Sequence, residues 1–279
     1  MDGFFLLNKE KGITSNQLVQ KIKKSLRFKK VGHMGTLDPM ATGLMVIAVN
    51  RATKFSSYFL ESDKTYHAKV KLGSSTDTDD ALGSIIETSE NLPTEENTRE
   101  ILNSFIGKSL QLAPYYSALK HKGKPLYKYA REGDLISKPP REINVYSIKD
   151  FIFNRDECSF LIHCSKGTYI RSIARDLGKK LGCGAHLASL KRVSQGKFNI
   201  NQASIAGEVE IKNLISIEEA FNEFSAIKLQ NDQLKIFLNG GKLKNINSED
   251  NDYRIYDLSS VFLGLGNVSN NVLALKRLV

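Results

Sequence analysis

Gly32-His33-Met34-Gly35-Thr36-Leu37-Asp38-Pro39-Met40-Ala41-Thr42-Gly43 sets one carboxylate among residues that fix backbone shape. The three glycines permit positive φ or the close approach of another backbone, and Pro39 fixes φ directly after Asp38. A residue before proline is pushed out of the α region, so Asp38 is predicted on an extended or turning loop. The apolar run at residues 44–49 follows at once and reads as a buried strand. An ionisable group is thereby presented on a rigid loop at a sheet edge, where binding and catalytic groups gather. Taken alone, the Asp-Pro pair reads first as an ordinary turn.

Outward from this loop, residues 4–7 read as a short strand. Thr14 or Ser15 caps a helix whose apolar face is Leu18, Val19, Ile22 and Leu26. A short helix over 52–60 and an alternating strand over 66–72 follow, then a helix over 98–105. Residues 114–140, rich in Lys, Gly, Pro and Tyr, read as a long exposed loop with one helical turn near Tyr127; loops of that length in compact domains are commonly functional. Two alternating runs, 145–153 and 158–164, form an antiparallel pair. A helix over 169–181 stops at Gly182, and a short helix spans 217–221. From about residue 226 three short glycine-punctuated strands suggest a separate β-rich unit. The expected fold class is α+β on a largely antiparallel sheet flanked by helices.

The chain has 279 residues and a net charge of +10, with 41% hydrophobic residues. That length suffices for one large core, or a core and a small appendage. No apolar run reaches the roughly 18 residues of a membrane span, and Met1-Asp2-Gly3-Phe4-Phe5 is not an export signal, so a cytoplasmic location is expected. Cys158, Cys164 and Cys183 lack CxxC spacing and are expected as buried free thiols. Residues 222–279 carry seven bases and six acids, so the excess lies in 1–221. Residues 21–30 hold six bases and no acid. A second cluster (Lys120, His121, Lys122, Lys124, Lys128, Arg131) is interleaved with Tyr115, Tyr116, Tyr127 and Tyr129. Such surfaces suit a polyanion with unpaired bases, and charge alone suits a solvated surface equally well. There is no P-loop, dinucleotide fingerprint or clustered Cys/His set. Asp77 and Asp79 lack the ligand spacing of a calcium loop, so Thr76 to Gly83 reads as structural turns.

The opening stretch closely resembles the GHxGTLDPxATG signature of the TruB family of tRNA pseudouridine synthases. Lys64-Thr65-Tyr66 resembles the family's K-x-Y segment, and residues 76–83 its TDTxDxxG segment. Pro114-Tyr115-Tyr116-Ser117-Ala118-Leu119-Lys120 is similar to PxYSAxK, with Tyr127, Ala130 and Arg131 at the expected distance. Residues 166–178 are similar to KGTYIRxLxxDLG, and residues 184–192 resemble GAHLxxLRR. These six blocks keep the family's order over most of residues 1–200. Two departures are Ala113 where a first proline is usual and Lys191 where arginine is usual.

The resemblance implies a pseudouridine synthase fold in residues 1–221, with 114–140 as a thumb-like RNA-binding loop and 226–279 as a PUA-like C-terminal domain. It implies Asp38 as the catalytic aspartate, Tyr66 stacked on the target uracil, and Arg171 paired with the aspartate. His33, Lys54, Tyr169 and Leu190 are implied as further substrate-binding positions. By residue type alone, Tyr66 on an alternating strand is a core tyrosine, and Arg171 at a helix start is a solvated charge. An arginine beside Asp38 is expected to hold it ionised and, through a bidentate fork, oriented. The implied reaction turns the uridine at position 55, in the tRNA T stem-loop, into pseudouridine without cofactor or metal. Asp38 acts either by covalent attack or by removing the ribose 2′ proton. The implied partner is tRNA, met by a monomer with no obligate protein partner and no membrane. The rival reading is a non-catalytic RNA-binding module or tRNA folding helper.

Overall fold

In the computed structural model, which describes residues 1–279, the first two thirds of the chain run through twelve strands and five helices. In order these are β1 (Gly3–Lys9), α1 (Ser15–Ser25), β2 (Val31–His33), β3 (Thr42–Val49), α2 (Ser56–Glu61), β4 (Lys64–Leu72), β5 (Ser74–Thr76), β6 (Ile85–Thr88) and α3 (Glu95–Asn103). There follow β7 (Gly107–Gln111), β8 (Lys120–His121), β9 (Lys124–Pro125), α4 (Leu126–Arg131), β10 (Arg141–Asn154), β11 (Glu157–Cys164), α5 (Ile170–Leu181) and β12 (Ala185–Gln195). An 11-stranded sheet has the main order Ser204–Ile205, β1, β3, β12, β4, β11, β10, β7. Its pairings are antiparallel except β3 with β12 and β1 with Ser204–Ile205.

The sheet is buried on both faces near β1 and β3, which is why those strands read as continuous apolar runs. Phe5, Leu7, Met45 and Ile47 enter the larger core beside Ile173 and Leu177 of α5. Phe4, Leu6, Leu44 and Val46 enter the second cluster, with Phe55, Phe59, Phe198 and Phe221. β4 instead alternates, with Lys64, Tyr66, Ala68, Val70 and Leu72 buried. Each fully buried aliphatic or aromatic side chain contributes roughly 1.5–3 kcal/mol.

The parallel contact of β3 with β12 depends on Gly43. Gly43 faces Arg192 in register at φ +105°, and a Cβ there would sit 2.3 Å from the Arg192 carbonyl oxygen. Gly43→Ala is expected to cost about 3 kcal/mol through overpacking and backbone strain. Thermal unfolding checks this; an unchanged midpoint would mean that the strands can separate without cost.

Residues 185–195 belonged to no predicted element, yet they form β12, which lies between β3 and β4. Residues 114–140 are more ordered than an exposed loop: they hold the β8–β9 hairpin and α4, with Leu126 and Ala130 buried. Tyr127 and Tyr129 lie under Arg131 and Lys124 at 5.6 and 4.5 Å. The three cysteines are buried and unpaired, as expected.

The C-terminal unit is a four-stranded sheet, Ala226–Lys228, Asn251–Tyr256, Phe262–Ser269 and Val272–Leu278, with a helix at Asn231–Leu238 that the sequence reading missed. It has its own core around Phe237, Ile255 and Leu273. Leu265 leaves that core to join Phe4, Phe55 and Phe221, and Tyr256 donates to Glu218 Oε1 at 2.7 Å. The appendage is therefore packed on the main body.

Candidate active site

Asp38 sits in the turn between β2 and β3, as its Pro39 neighbour dictates, and the Ala41 N–H closes that turn on the Asp38 carbonyl at 3.0 Å. The loop is clamped from two sides. Thr14 caps α1, leaving Ser15 free to grip Leu37: its hydroxyl accepts from Leu37 N at 2.8 Å and donates to Leu37 O at 2.9 Å. The Pro39 carbonyl accepts from Gly12 N at 2.8 Å. At the end of β1, buried Lys9 donates to the Glu10 and Ile13 carbonyls at 3.0 and 2.7 Å and reaches Pro39 O at 3.4 Å. Burial pulls Lys9 down to about 8, with nearby Asp38 opposing. It is therefore an ammonium at neutral pH, as its carbonyl acceptors require.

Arg171, in the first turn of α5, is buried at 5% exposure rather than solvated. Its Nε lies 2.9 Å from Asp38 Oδ2, an ion-pair contact whose N–H direction misses the line of a hydrogen bond. Nη1 donates to Thr78 O at 3.2 Å and Nη2 to Tyr116 O at 2.9 Å. The expected bidentate fork on Asp38 is thus absent, because the other two nitrogens hold the loops on either side. Asp80, 3.8 Å from Nη1, and the Asp79–Arg175 pair at 3.1 Å tie the 76–83 segment to α5. Those acids orient the arginines, a role that the reading as structural turns did not assign.

The Asp38 carboxylate opens into a cavity of about 340 Å³. Tyr66, Leu190, Tyr169 and Arg171 line it, together with Lys64, Arg192, Leu60 and Ala118. Tyr66 reaches it from β4, Leu190 from β12, and Tyr169 from the N-cap of α5, where Gln111 grips its backbone N–H and C=O at 2.8 and 3.1 Å. His33 and Lys54 do not line it. His33 ends β2, paired with Ile47, and its Nδ1 is buried without a hydrogen bond. Lys54 is exposed on the 3-10 turn Asn50–Phe55 and makes no ion pair.

Burial raises the Asp38 carboxyl above the ordinary aspartate range, against the opposing charge of Arg171. Its side chain keeps 34% exposure through the cavity mouth while protein crowds it elsewhere. Arg171 pulls the other way, as expected of an adjacent cation, but burial is the larger influence. Burial likewise raises the phenols of Tyr66 and Tyr169 and, with Arg192 adding, lowers His33.

Lys64 and Arg192 are lining residues that the sequence reading did not single out. Lys64 donates to Phe59 O at 3.2 Å, Leu60 O at 2.8 Å and also to Ser62 O, capping α2. Arg192 donates to Leu44 O at 2.7 Å and Gly35 O at 3.1 Å. The signal for each lay in its block, beside Tyr66 and beside Leu190.

Three family models cover most of the chain: "TruB family pseudouridylate synthase (N terminal domain)" over residues 23–170, "tRNA pseudouridylate synthase B C-terminal domain" over 171–223, and "Pseudouridine synthase II TruB, C-terminal" over 225–279. A tRNA pseudouridine synthase B of Francisella philomiragia is 42% identical, covering 92% of this chain and 88% of its own. That of Methylobacillus flagellatus is 39% identical over 100% and 95%. Among solved structures, a Cbf5-Nop10-Gar1 complex matches with a TM-score of 0.73 at 22% identity, covering 99% of this chain and 84% of that one. An H/ACA RNP bound to a substrate RNA containing 2′-deoxyuridine matches with a TM-score of 0.72 at 21% identity, with the same coverage; both likenesses concern the fold. On the family models and the full-length relatives, the chain belongs to the TruB family of pseudouridine synthases.

Proposed function

We propose that this cavity isomerises the uridine at position 55, in the TΨC loop of tRNA, to pseudouridine. The observation that carries the reading is the Asp38 carboxylate held 2.9 Å from Arg171 in a cavity walled by Tyr66, Tyr169 and Leu190. Relatives that are tRNA pseudouridine synthases B over nearly their whole length supply the substrate class. Every atom of the product is already in the uridine, so the chemistry calls for no cofactor. Asp38 acts at the ribose, Tyr66 lies against the base, and Tyr169, Leu190 and Arg171 frame the nucleotide. Lys54 meets RNA outside the cavity, and His33 neighbours the base displaced from the RNA. Extracting a stacked nucleotide costs a few kcal/mol. Contacts from the 114–140 segment offset that cost as it closes over the T arm. Residues 1–221 act as the catalytic domain and 226–279 as a PUA-like accessory domain, in a cytoplasmic monomer.

The exposed face of α1 supports the RNA reading. Leu18, Val19 and Ile22 are buried, while Lys21, Lys23, Lys24 and Arg27 face solvent. Reversing Lys23, Lys24 and Arg27 to glutamate should weaken tRNA binding roughly 10- to 100-fold and flatten the log–log salt dependence by about two units. An unchanged slope would place this helix away from RNA. The position is tested by incubating an unmodified tRNA transcript with the purified chain and mapping pseudouridine at single-nucleotide resolution. Product at position 55 is expected; product only at other uridines would overturn the assignment.

A further inference from the structure

Two cations on the cavity wall lack a partner. Lys64 is 7% exposed and Arg192 1%, and both line the cavity that holds Asp38. Neither has a carboxylate within 4.0 Å, whereas Arg171 has both Asp38 and Asp80. Lys64 donates to three carbonyls capping α2, and Arg192 uses Nε and Nη2 on the carbonyls of Leu44 and Gly35. Burying a charge without a counter-ion is costly. Burial draws Lys64 down to about 8, which leaves it charged at neutral pH. The free chain therefore keeps two positive charges on the cavity wall with no ion-pair partner. Arg192 is also the cross-strand partner of Tyr66, the residue proposed to lie against the base.

Lys64 spends all its donors on carbonyls and Arg192 its Nε and one Nη, which leaves this pair poorly set to ligate a phosphate. What two such charges can serve through space is a diffuse anion that exists only during the reaction. We infer that Lys64 and Arg192 form a positive wall that stabilises uracil as an anion while it is detached from the ribose. The inference rests on the proposed function. When the C1′–N1 bond breaks, its electron pair goes to N1 and is shared with O2 and O4. The electron-deficient C1′ is relieved by Asp38, either by an O–C1′ bond or by removal of the 2′ proton. C5 of the turned anion then supplies the pair for the new C1′ bond, reversing the Asp38 step; the C5 proton is lost and N1, now free of the sugar, takes one up from solvent. The negative charge on the base lasts from the first bond change to the second. A preorganised charge aimed at that interval stabilises the barrier without contributing to ground-state binding.

The test compares leaving groups. T-arm minihelices carrying uridine or 5-fluorouridine at the target are mixed with excess wild type, Arg192→Met, Lys64→Met or Arg192→Lys. Loss of the N1-linked nucleoside is followed in nuclease digests, and RNA affinity is measured alongside. Fluorine makes the departing anion intrinsically more stable, so its cleavage depends less on the wall. The methionine variants should slow uridine cleavage roughly 100- to 1000-fold at unchanged affinity. Their penalty on 5-fluorouridine should be at least about tenfold smaller. Arg192→Lys should recover most of the uridine rate. Equal penalties on both nucleosides, or methionine variants within threefold of wild type, would overturn the inference and leave a structural role. Should Arg192→Met fail to fold, Lys64→Met decides by the same comparison. A wild type inactive on uridine would instead refute the proposed function itself.

Discussion

Asp38→Asn is expected to lower single-turnover pseudouridine formation by at least about 10⁴-fold while leaving tRNA affinity within twofold of wild type. Asparagine keeps the shape of the side chain but can neither attack C1′ nor take a proton. The loop that carries it is fixed by groups other than its carboxylate: Ser15 on Leu37, Gly12 and Lys9 on Pro39. Arg171 keeps Thr78 O, Tyr116 O and Asp80 after the change, so the cavity wall stays in place. The bases proposed to meet RNA, on and just after α1, at Lys54 and in the 114–140 segment, make no ion pair with this carboxylate. Rapid-mixing assays and equilibrium binding with one RNA check both halves. Activity within a few fold of wild type would remove Asp38 from the chemistry.

Arg171→Met should cost roughly 100- to 1000-fold at neutral pH and, more tellingly, should move the acid limb of the rate–pH profile upward. The sign follows from the two influences on Asp38. Burial raises its pKa and Arg171 lowers it, with burial the larger. The active form is the carboxylate, so the wild-type rate should fall with decreasing pH at a point above the ordinary aspartate range. Removing the guanidinium leaves burial less opposed. The limb then shifts to higher pH, and part of the lost rate returns as the pH is raised. Arg171→Lys should shift the limb less but still lose rate, because one ammonium cannot reach Asp38, Thr78 O and Tyr116 O together. A limb that does not move in Arg171→Met would mean that the arginine only braces the loops.

Much of this architecture was legible in the sequence, because local rules and tertiary demands agree there. Pro39 and Gly43 specify the turn and the close strand contact that follow Asp38. Gly182 ends α5 in the left-handed region at φ +72°, where a stop was expected. β12 was not legible: Ser189, Lys191, Arg192 and Ser194 interrupt its apolar pattern, and two register shifts break its alternation. Arg192 defeats any residue-by-residue reading, since a strand arginine is ordinarily exposed and this one is buried against backbone carbonyls. Arg171 was misjudged in a similar way. The resemblance placed it by Asp38, but the loss of the bidentate fork follows from loops 93 and 55 residues away in sequence. The helix Asn231–Leu238 went unread because its first turn is polar and its apolar stripe is short. His33 and Lys54 match the family's motif, yet the folded chain keeps both off the cavity wall.

The most direct measurement uses a T-arm minihelix with tritium at C5 of the target uridine. Pseudouridine formation replaces the C5 hydrogen with the bond to C1′, so tritium must enter solvent once per turnover. The wild-type chain is expected to release one equivalent of tritium, in step with pseudouridine appearing at that nucleotide, and Asp38→Asn to release none on the same timescale. Release by Asp38→Asn at the wild-type rate, or none from a wild type that binds the RNA, would contradict the account.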